Sequence, residues 1–324
     1  GFIMSLPQTE IVRKVSKRKR NVLRRSRMKK KNHFSKYQIL ANAVMIIWTL
    51  AIILPFILLF MSSITDENTL VANGYSFFPK KFSLASYSYI IKSGGQILKA
   101  YGVSIGVTVV GTLLNVLLSA LMAYPLSVKN LPGRNVMMFF VFFTMLFNGG
   151  IVPSYIMWTG TFHIKDTIFA QLLPNFLLSA WNVMMIRTYF TTSIPDGLYE
   201  AAEIDGASQF TIFWKIVLPL GKPILVTMGT FAGLAYWNDW TNGLYYIVKN
   251  TGLYNVQNLL NQMVQNIQFL TQSSNSNVTA AASTIPATGI QMAIAFVAIL
   301  PIMLIFPSFQ KYYAKGIALG AVKG

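Results

Sequence analysis

Apolar residues in this chain gather in long runs separated by short polar stretches, with neither the strict alternation of half-buried strands nor the stripe of surface helices. Six runs reach the length of about 20 residues needed to cross a bilayer as a helix. They extend from Tyr37 to Ile64, Ala100 to Val128, Asn135 to Trp158, Thr167 to Ile186, Pro223 to Ile247 and Ile285 to Phe309. In lipid a helix satisfies its own backbone hydrogen bonds, so these runs predict six transmembrane helices in an all-α integral membrane protein. An even number of crossings puts both termini on one side. The predicted organisation is a tail over 1–36, a membrane domain over 37–309 and a second tail over 310–324. A polar loop of about 189–221 lies between the fourth and fifth spans. Within the second run, Gly102, Gly106 and Gly111 are small enough to let another helix approach closely.

Composition agrees: 54% of the 324 residues are hydrophobic and 11% are charged, with a mean hydropathy of +0.50. The formal charge of +18 is concentrated in one place. Residues 1–36 hold 13 of the 27 Lys and Arg against one acid, Glu10, and so carry +12 of that charge. A basic run directly before an apolar span reads as a cytoplasmic anchor, each cation near an anionic leaflet adding about 1 kcal/mol. The tail lacks the interleaved aromatic residues of a nucleic-acid surface. The span that follows is too long for a signal-peptide core and lacks a small-residue cleavage site, so it is expected to remain in the membrane. The chain begins at Gly1 rather than methionine, which suggests an alternative start. With the tail inside, Lys129, Arg134, the loop after the fourth span and the C-terminal lysines are cytoplasmic. Lys80, Lys81, Lys92, Lys99, Lys165 and Lys249 face outward.

Cysteine is absent, and His33 and His163 are far apart, so neither a disulfide framework nor a His/Cys metal site is expected. No Gly-x-x-x-x-Gly-Lys-Ser/Thr phosphate loop and no His-Glu-x-x-His pair occurs, which excludes a self-contained ATPase or zinc hydrolase of those types. Two outer loops, Thr65 to Lys99 and Val248 to Thr284, are sizeable. The second is rich in Asn, Gln, Ser and Thr and ends in Ser-Ser-Asn-Ser-Asn. It reads either as a solvated connector or as a contact for an extracytoplasmic partner or hydroxyl-rich ligand.

The acidic stretch Glu200-Ala-Ala-Glu-Ile-Asp-Gly206 places three carboxylates within six residues of an acid-poor chain. It reads as a short helix with Ser193 or Asp196 as cap and Pro195 early, stopped at Asp205-Gly206. A second helix follows, with Phe210, Phe213, Trp214 and Val217 as an apolar stripe up to Leu218-Pro219. Part of that stripe is expected to tuck against the spans, leaving Glu200 and the Ala201-Ala202 face free to dock.

Glu-Ala-Ala, then Asp-Gly-Ala, then Ile-x-Leu-Pro resembles the cytoplasmic loop of permease subunits of bacterial ABC importers. The likeness extends over roughly Ser35 to Gly324. Trp237-Asn238-Asp239-Trp240 and the terminal Val322-Lys323-Gly324 are similar to the carbohydrate branch, the MalG-like and more narrowly LplC-like permeases. The long basic tail is not part of that pattern. The resemblance implies the type I importer permease fold in a bacterial inner membrane, both termini cytoplasmic, with no cofactor on this chain and ATP and Mg held by the partner ATPase. Implied partners are a second homologous permease subunit, two cytoplasmic ATPase subunits, an extracytoplasmic substrate-binding protein and membrane lipid. It further implies that Glu200 pairs with a basic group of the ATPase, that Ala201 and Ala202 allow close approach, and that Asp205 and Gly206 set a bend. Lys323 and Gly324 are expected either to reach the same interface or to fray.

An ionisable group inside the membrane should face water or a partner. On that ground Asn238, Asp239 and Asn242 are candidates for the substrate pathway or for polar packing between helices, with Trp181, Asn182 and Asn148 as further candidates. Arg187 reads as reaching the membrane surface or pairing with the acidic loop. A self-sufficient secondary sugar transporter is the alternative, but it would ordinarily show paired repeats and several intramembrane carboxylates. The cargo is expected to be an oligosaccharide or polysaccharide. An anionic one such as alginate would suit the basic excess, yet most of that excess lies on the far side from incoming substrate, so its charge stays open.

Overall fold

The computed structural model describes residues 36–92, 94–272 and 287–321, all helical or irregular apart from a single bridge between Thr65 and Phe82. The N-terminal tail, the Ser-Asn stretch of the second outer loop, Lys323 and Gly324 lie outside the described residues. The chain divides into two units, 1–56 and 57–324. In the first, the described part is the opening of helix α1 (Lys36–Ser63). Its length and near-uniform apolarity suit a membrane span.

In the second unit, α2 (Glu67–Asn73) and α3 (Ala85–Lys92) precede the long α4 (Gly94–Ser127). Then come α5 (Arg134–Leu146) and α6 (Ile151–Thr161), bent by 109° at Phe147–Gly150. After the short α7 (Phe169–Leu172), α8 spans Ala180–Ser193. The polar loop folds into α9 (Asp196–Ile204) and α10 (Gln209–Leu220), and α10 meets α11 (Lys222–Asn238) at 79°. The chain finishes with α12 (Thr241–Tyr246), α13 (Val256–Gln272) and α14 (Ala287–Ala321). Helix α4 is the central post, with α11 and α8 packed along it, and α14 packs on α11.

Among the described residues, three helices are long and apolar enough to cross a membrane, within α1, α4 and α14; counting each bent pair as one span gives five. The predicted fourth run is not one helix. Pro174 ends it and Asn175 takes a left-handed φ of 66°, so Thr167 to Ile186 divides into α7, an irregular stretch and α8. The predicted fifth run breaks at Asp239, between α11 and α12. Of the three small residues on α4, Gly111 alone lies in a tight contact: a Cβ there would stand 2.5 Å from the Tyr236 ring, whereas Gly102 and Gly106 have open space.

The two loops predicted to face outward hold more structure than their composition suggested. Most of the described part of the second is α13, whose Leu259 and Val256 are buried in a cluster with Ala100 and Ala298. In the first, the Glu67 carboxylate accepts the backbone N–H groups of Thr288 at 2.9 Å and Gly289 at 2.8 Å. These are among the unpaired donors at the start of α14, where a carboxylate also complements the helix dipole.

Candidate functional site: an exposed elbow and a buried polar seam

Helices α9 and α10 form an elbow seated on the ends of α4 and α8. Its foot is a buried cluster that includes Tyr124, Ile186, Phe190, Ala202, Ile212, Phe213 and Val217. The bend is a complete C-terminal motif: Gly206 adopts φ 75°, its N–H donates to Glu203 O at 3.0 Å, and the Ala207 N–H donates to Ala202 O at 2.9 Å. These two bonds satisfy carbonyls that would otherwise be orphaned, and glycine takes the left-handed turn without a Cβ penalty. Helix α10 is capped by Ser208, whose Oγ accepts the Thr211 N–H at 3.2 Å. Neither Ser193 nor Asp196 caps α9. Ser193 closes α8, Pro195 stands at the cap position, and Asp196 pairs with Lys129 Nζ at 2.5 Å.

A relay of side chains stiffens the elbow. The Tyr124 hydroxyl donates to Gln209 Oε1 at 2.5 Å, and Gln209 Nε2 donates to Glu203 Oε1 at 2.7 Å, joining α4 to both helices of the bend. Tyr199 packs beside Tyr124, and burial pushes its phenol up to about 12. Glu203 was one of the three carboxylates of the acidic stretch but had no role assigned, and Gln209 and Tyr124 were not singled out, because nothing in one dimension places Tyr124 beside a loop 85 residues later.

Of the candidate coupling residues, Glu200, Ala201, Asp205 and Gly206 are exposed. Ala202 is not: it is buried in the elbow's own seat, so the close approach it allows is to this chain's helices. The apolar stripe divides. Phe213 and Val217 face inward, while Phe210, Trp214 and the 86% exposed Ile204 stay outside. Large apolar side chains beside carboxylates on one exposed elbow have the character of a docking surface.

The second region lies where the predicted fourth span fails. Three carbonyls freed by the irregular stretch each accept a side-chain donor: Leu172 O from the Tyr236 hydroxyl at 2.9 Å, Pro174 O from Asn242 Nδ2 at 3.1 Å, and Phe176 O from Asn115 Nδ2 at 2.6 Å. Asn182 Nδ2 donates in turn to Asn115 Oδ1 at 2.7 Å. Irregular backbone at membrane depth persists where protein groups replace its lost helical bonds. The seam continues through Gln171, Asn255 and Asn258. Asn258 donates to Trp240 O, and Asn255 donates to Asp239 O at 2.7 Å.

Asp239 and Asn242, 5% and 0% exposed, belong to this seam rather than to an open face. Asp239 Oδ1 caps α12, accepting the Thr241 N–H at 3.0 Å and its hydroxyl at 2.7 Å, while Oδ2 is buried without a hydrogen-bond partner among the described residues. Asn182 is buried as well. Trp181, Asn148 and Asn238 are exposed, so the six candidates do not form one cluster. Arg187 does not pair with the acidic loop; its Nε donates to Leu126 O at 3.2 Å. Among the described residues no three of His, Cys, Asp and Glu gather closely enough to hold a metal ion.

Residues 100–319 match the family described as binding-protein-dependent transport system inner membrane component. The chain is 36% identical over 272 residues to Protein LplC of Bacillus subtilis (strain 168), covering 84% of this chain and 90% of that one. It is also 36% identical over 288 residues to the polygalacturonan/rhamnogalacturonan transport system permease protein YtcP of the same organism, covering 89% and 98%. A crystal structure of a bacterial ABC transporter involved in the import of the acidic polysaccharide alginate contains a chain that superposes with a TM-score of 0.73 at 26% identity, over 87% of this chain and all of that one.

Proposed function

The chain belongs to the family of binding-protein-dependent transport system inner membrane components, and from that premise we propose that it is a permease subunit of an ATP-driven ABC importer for a carbohydrate. It is a membrane subunit without catalysis of its own. It works with a binding protein outside, a second permease subunit beside it and two ATPase subunits in the cytoplasm. We count six crossings, with α7 and α8 together forming the fourth, broken at Pro174. Both termini then lie inside the bacterial cell membrane.

The exposed elbow carries this reading. Its helices are fixed to α4 by the Tyr124–Gln209–Glu203 relay and rooted in a buried cluster, while Glu200, Ala201, Ile204 and Phe210 project outward. A part that is rigid at its root and apolar with charge at its tip can transmit a push. In this proposal Glu200 meets a basic group of the ATPase, and Asp205 with Gly206 sets the angle at which force enters the spans. Lys323 and Gly324 supply a second contact with the ATPase. Trp181, Asn148 and Asn238 are assigned to the pathway side, and Asp239, Asn242 and Asn182 to the packing that holds it.

For the cargo, one relative is named for polygalacturonan and rhamnogalacturonan, and the alginate importer's cargo is described as acidic. An acidic oligosaccharide or polysaccharide is therefore the class we assign. Reconstituted importer carrying Glu200→Lys should reach the membrane at normal levels yet lose ATP-dependent uptake and the stimulation of ATP hydrolysis by loaded binding protein. Normal coupled uptake in that variant would refute the role of the elbow. Competition of uptake by acidic but not neutral oligosaccharides is the result expected for the cargo class.

A further inference from the structure

A cavity of about 500 Å³ opens between the last turns of α4, the first turns of α5 and the start of α8. Met122, Leu126, Met137, Phe140, Val141 and Val183 line it. Its lining is almost entirely apolar, and Leu126, Val141 and Val183 of its wall belong to the buried cluster at the elbow's foot. One end lies where α4 finishes and α5 begins, and two arginines stand there. Arg187 Nε bonds the carbonyl of Leu126, itself a lining residue, and Arg134, one turn before Met137, bonds Val128 O at 3.5 Å.

The two guanidiniums bond carbonyls only two residues apart, those of Leu126 and Val128, and so converge on the same end of α4. Neither has a carboxylate within ion-pair distance among the described residues. The ion pairs among those residues join Lys81 to Asp66 and Lys129 to Asp196. Two half-buried like charges beside an apolar cavity call for a ligand that is anionic at one end and hydrocarbon at the other. A phosphodiester presents the oxygens a guanidinium fork recognises, and an acyl chain supplies the dispersion contacts an open apolar cavity lacks. Basic pockets between membrane helices recognise lipid headgroups in this way. A neighbouring helix with apolar side chains would fill the cavity but leave both cations uncompensated.

We propose that the groove between α4, α5 and α8 is a binding site for one anionic phospholipid, with its phosphate between Arg134 and Arg187 and an acyl chain along Met137, Phe140 and Val141. The site joins α5, which packs on α4 and α8, to the elbow end of the bundle.

The test uses the intact importer in vesicles of phosphatidylglycerol mixed with phosphatidylcholine, followed by detergent extraction and mass spectrometry of retained lipid. Phosphatidylglycerol should be retained in preference to phosphatidylcholine. Arg134→Gln with Arg187→Gln should lower its retention about tenfold or more, while Lys215→Gln, a charge loss on α10, should not. The chain contains no cysteine, so a single Phe140→Cys carries one fluorophore at the groove and reports occupancy independently of the arginines. Brominated phosphatidylglycerol should quench it more strongly than brominated phosphatidylcholine. Equal quenching by the two lipids, retention unchanged in the double variant, or efficient cross-linking of Phe140→Cys to a neighbouring protein subunit would each overturn the proposal.

Discussion

The elbow and the seam use the same kinds of polar residue to opposite ends. In the seam, Asn115, Asn182, Asn242, Asn255 and Tyr236 turn inward, and each donor finds a carbonyl or amide of this chain. In the elbow, Glu200, Asp205, Ile204 and Phe210 turn outward, and the bonds that hold the bend run behind them. Polarity within an apolar protein is therefore not one signal. Where the chain satisfies its own polar groups they repair broken backbone; where it leaves them exposed beside large apolar side chains they form a surface for something else.

The largest effect should come from the seam. Asn115→Leu strips the donor from the half-buried Phe176 O and the acceptor from the buried Asn182, for a loss of about 2–4 kcal/mol. Thermal unfolding of the purified importer should shift strongly downward, and an unchanged midpoint would break the assignment of the seam as structural. At the elbow, Gly206→Ala must place a Cβ in left-handed backbone, a strain of about 1–2 kcal/mol. No atom stands within 4 Å of that Cβ, so uptake should fall further than membrane level, measured side by side in vesicles.

Gln209→Ala cuts the relay while leaving the surface intact, at about 0.5–1 kcal/mol of stability. The ratio of ATP hydrolysed to substrate transported should rise, and a ratio equal to wild type would show that the relay does not stiffen the joint. The smallest effect concerns Asp166. Its Oδ1 accepts the N–H groups of Lys249, Asn250 and Val248, which hold its carboxyl below the ordinary range. A carboxylate favoured in the folded state contributes stability above its unfolded pKa of about 4, lost as pH falls through the lower folded value. Asp166→Asn should lower stability slightly at neutral pH, converge with wild type in acid below the folded pKa, and so flatten the acid limb of the profile measured by thermal unfolding against pH.

What could be read in one dimension follows the same division. Long apolar runs anticipated α1, α4 and α14, since length and hydropathy are local properties. The bend at Gly206 was legible too, because Asp-Gly is a local stop. Broken spans were harder. Pro174 was visible, but its three carbonyl partners come from α4, α11 and α12, and no run of sequence announces that they converge. Asn115 and Asn175 inside apolar runs were the available signal, since an amide in lipid needs a partner. Ala202 misled for a related reason: a small residue permits close approach without saying to what, and the structure packs it against its own chain. The polar loop over 248–284 is more than a solvated connector, because α13 buries one face and exposes Asn and Gln on another.

The clasp of Glu67 on Thr288 and Gly289 carries a consequence for biosynthesis. Its two halves are separated by 221 residues and more, so during synthesis the carboxylate emerges early and its partners emerge almost last. Helix α2 stays without these two partners until α14 has been made. The clasp therefore acts as the final stitch of assembly, closed only once the last helix has taken its place.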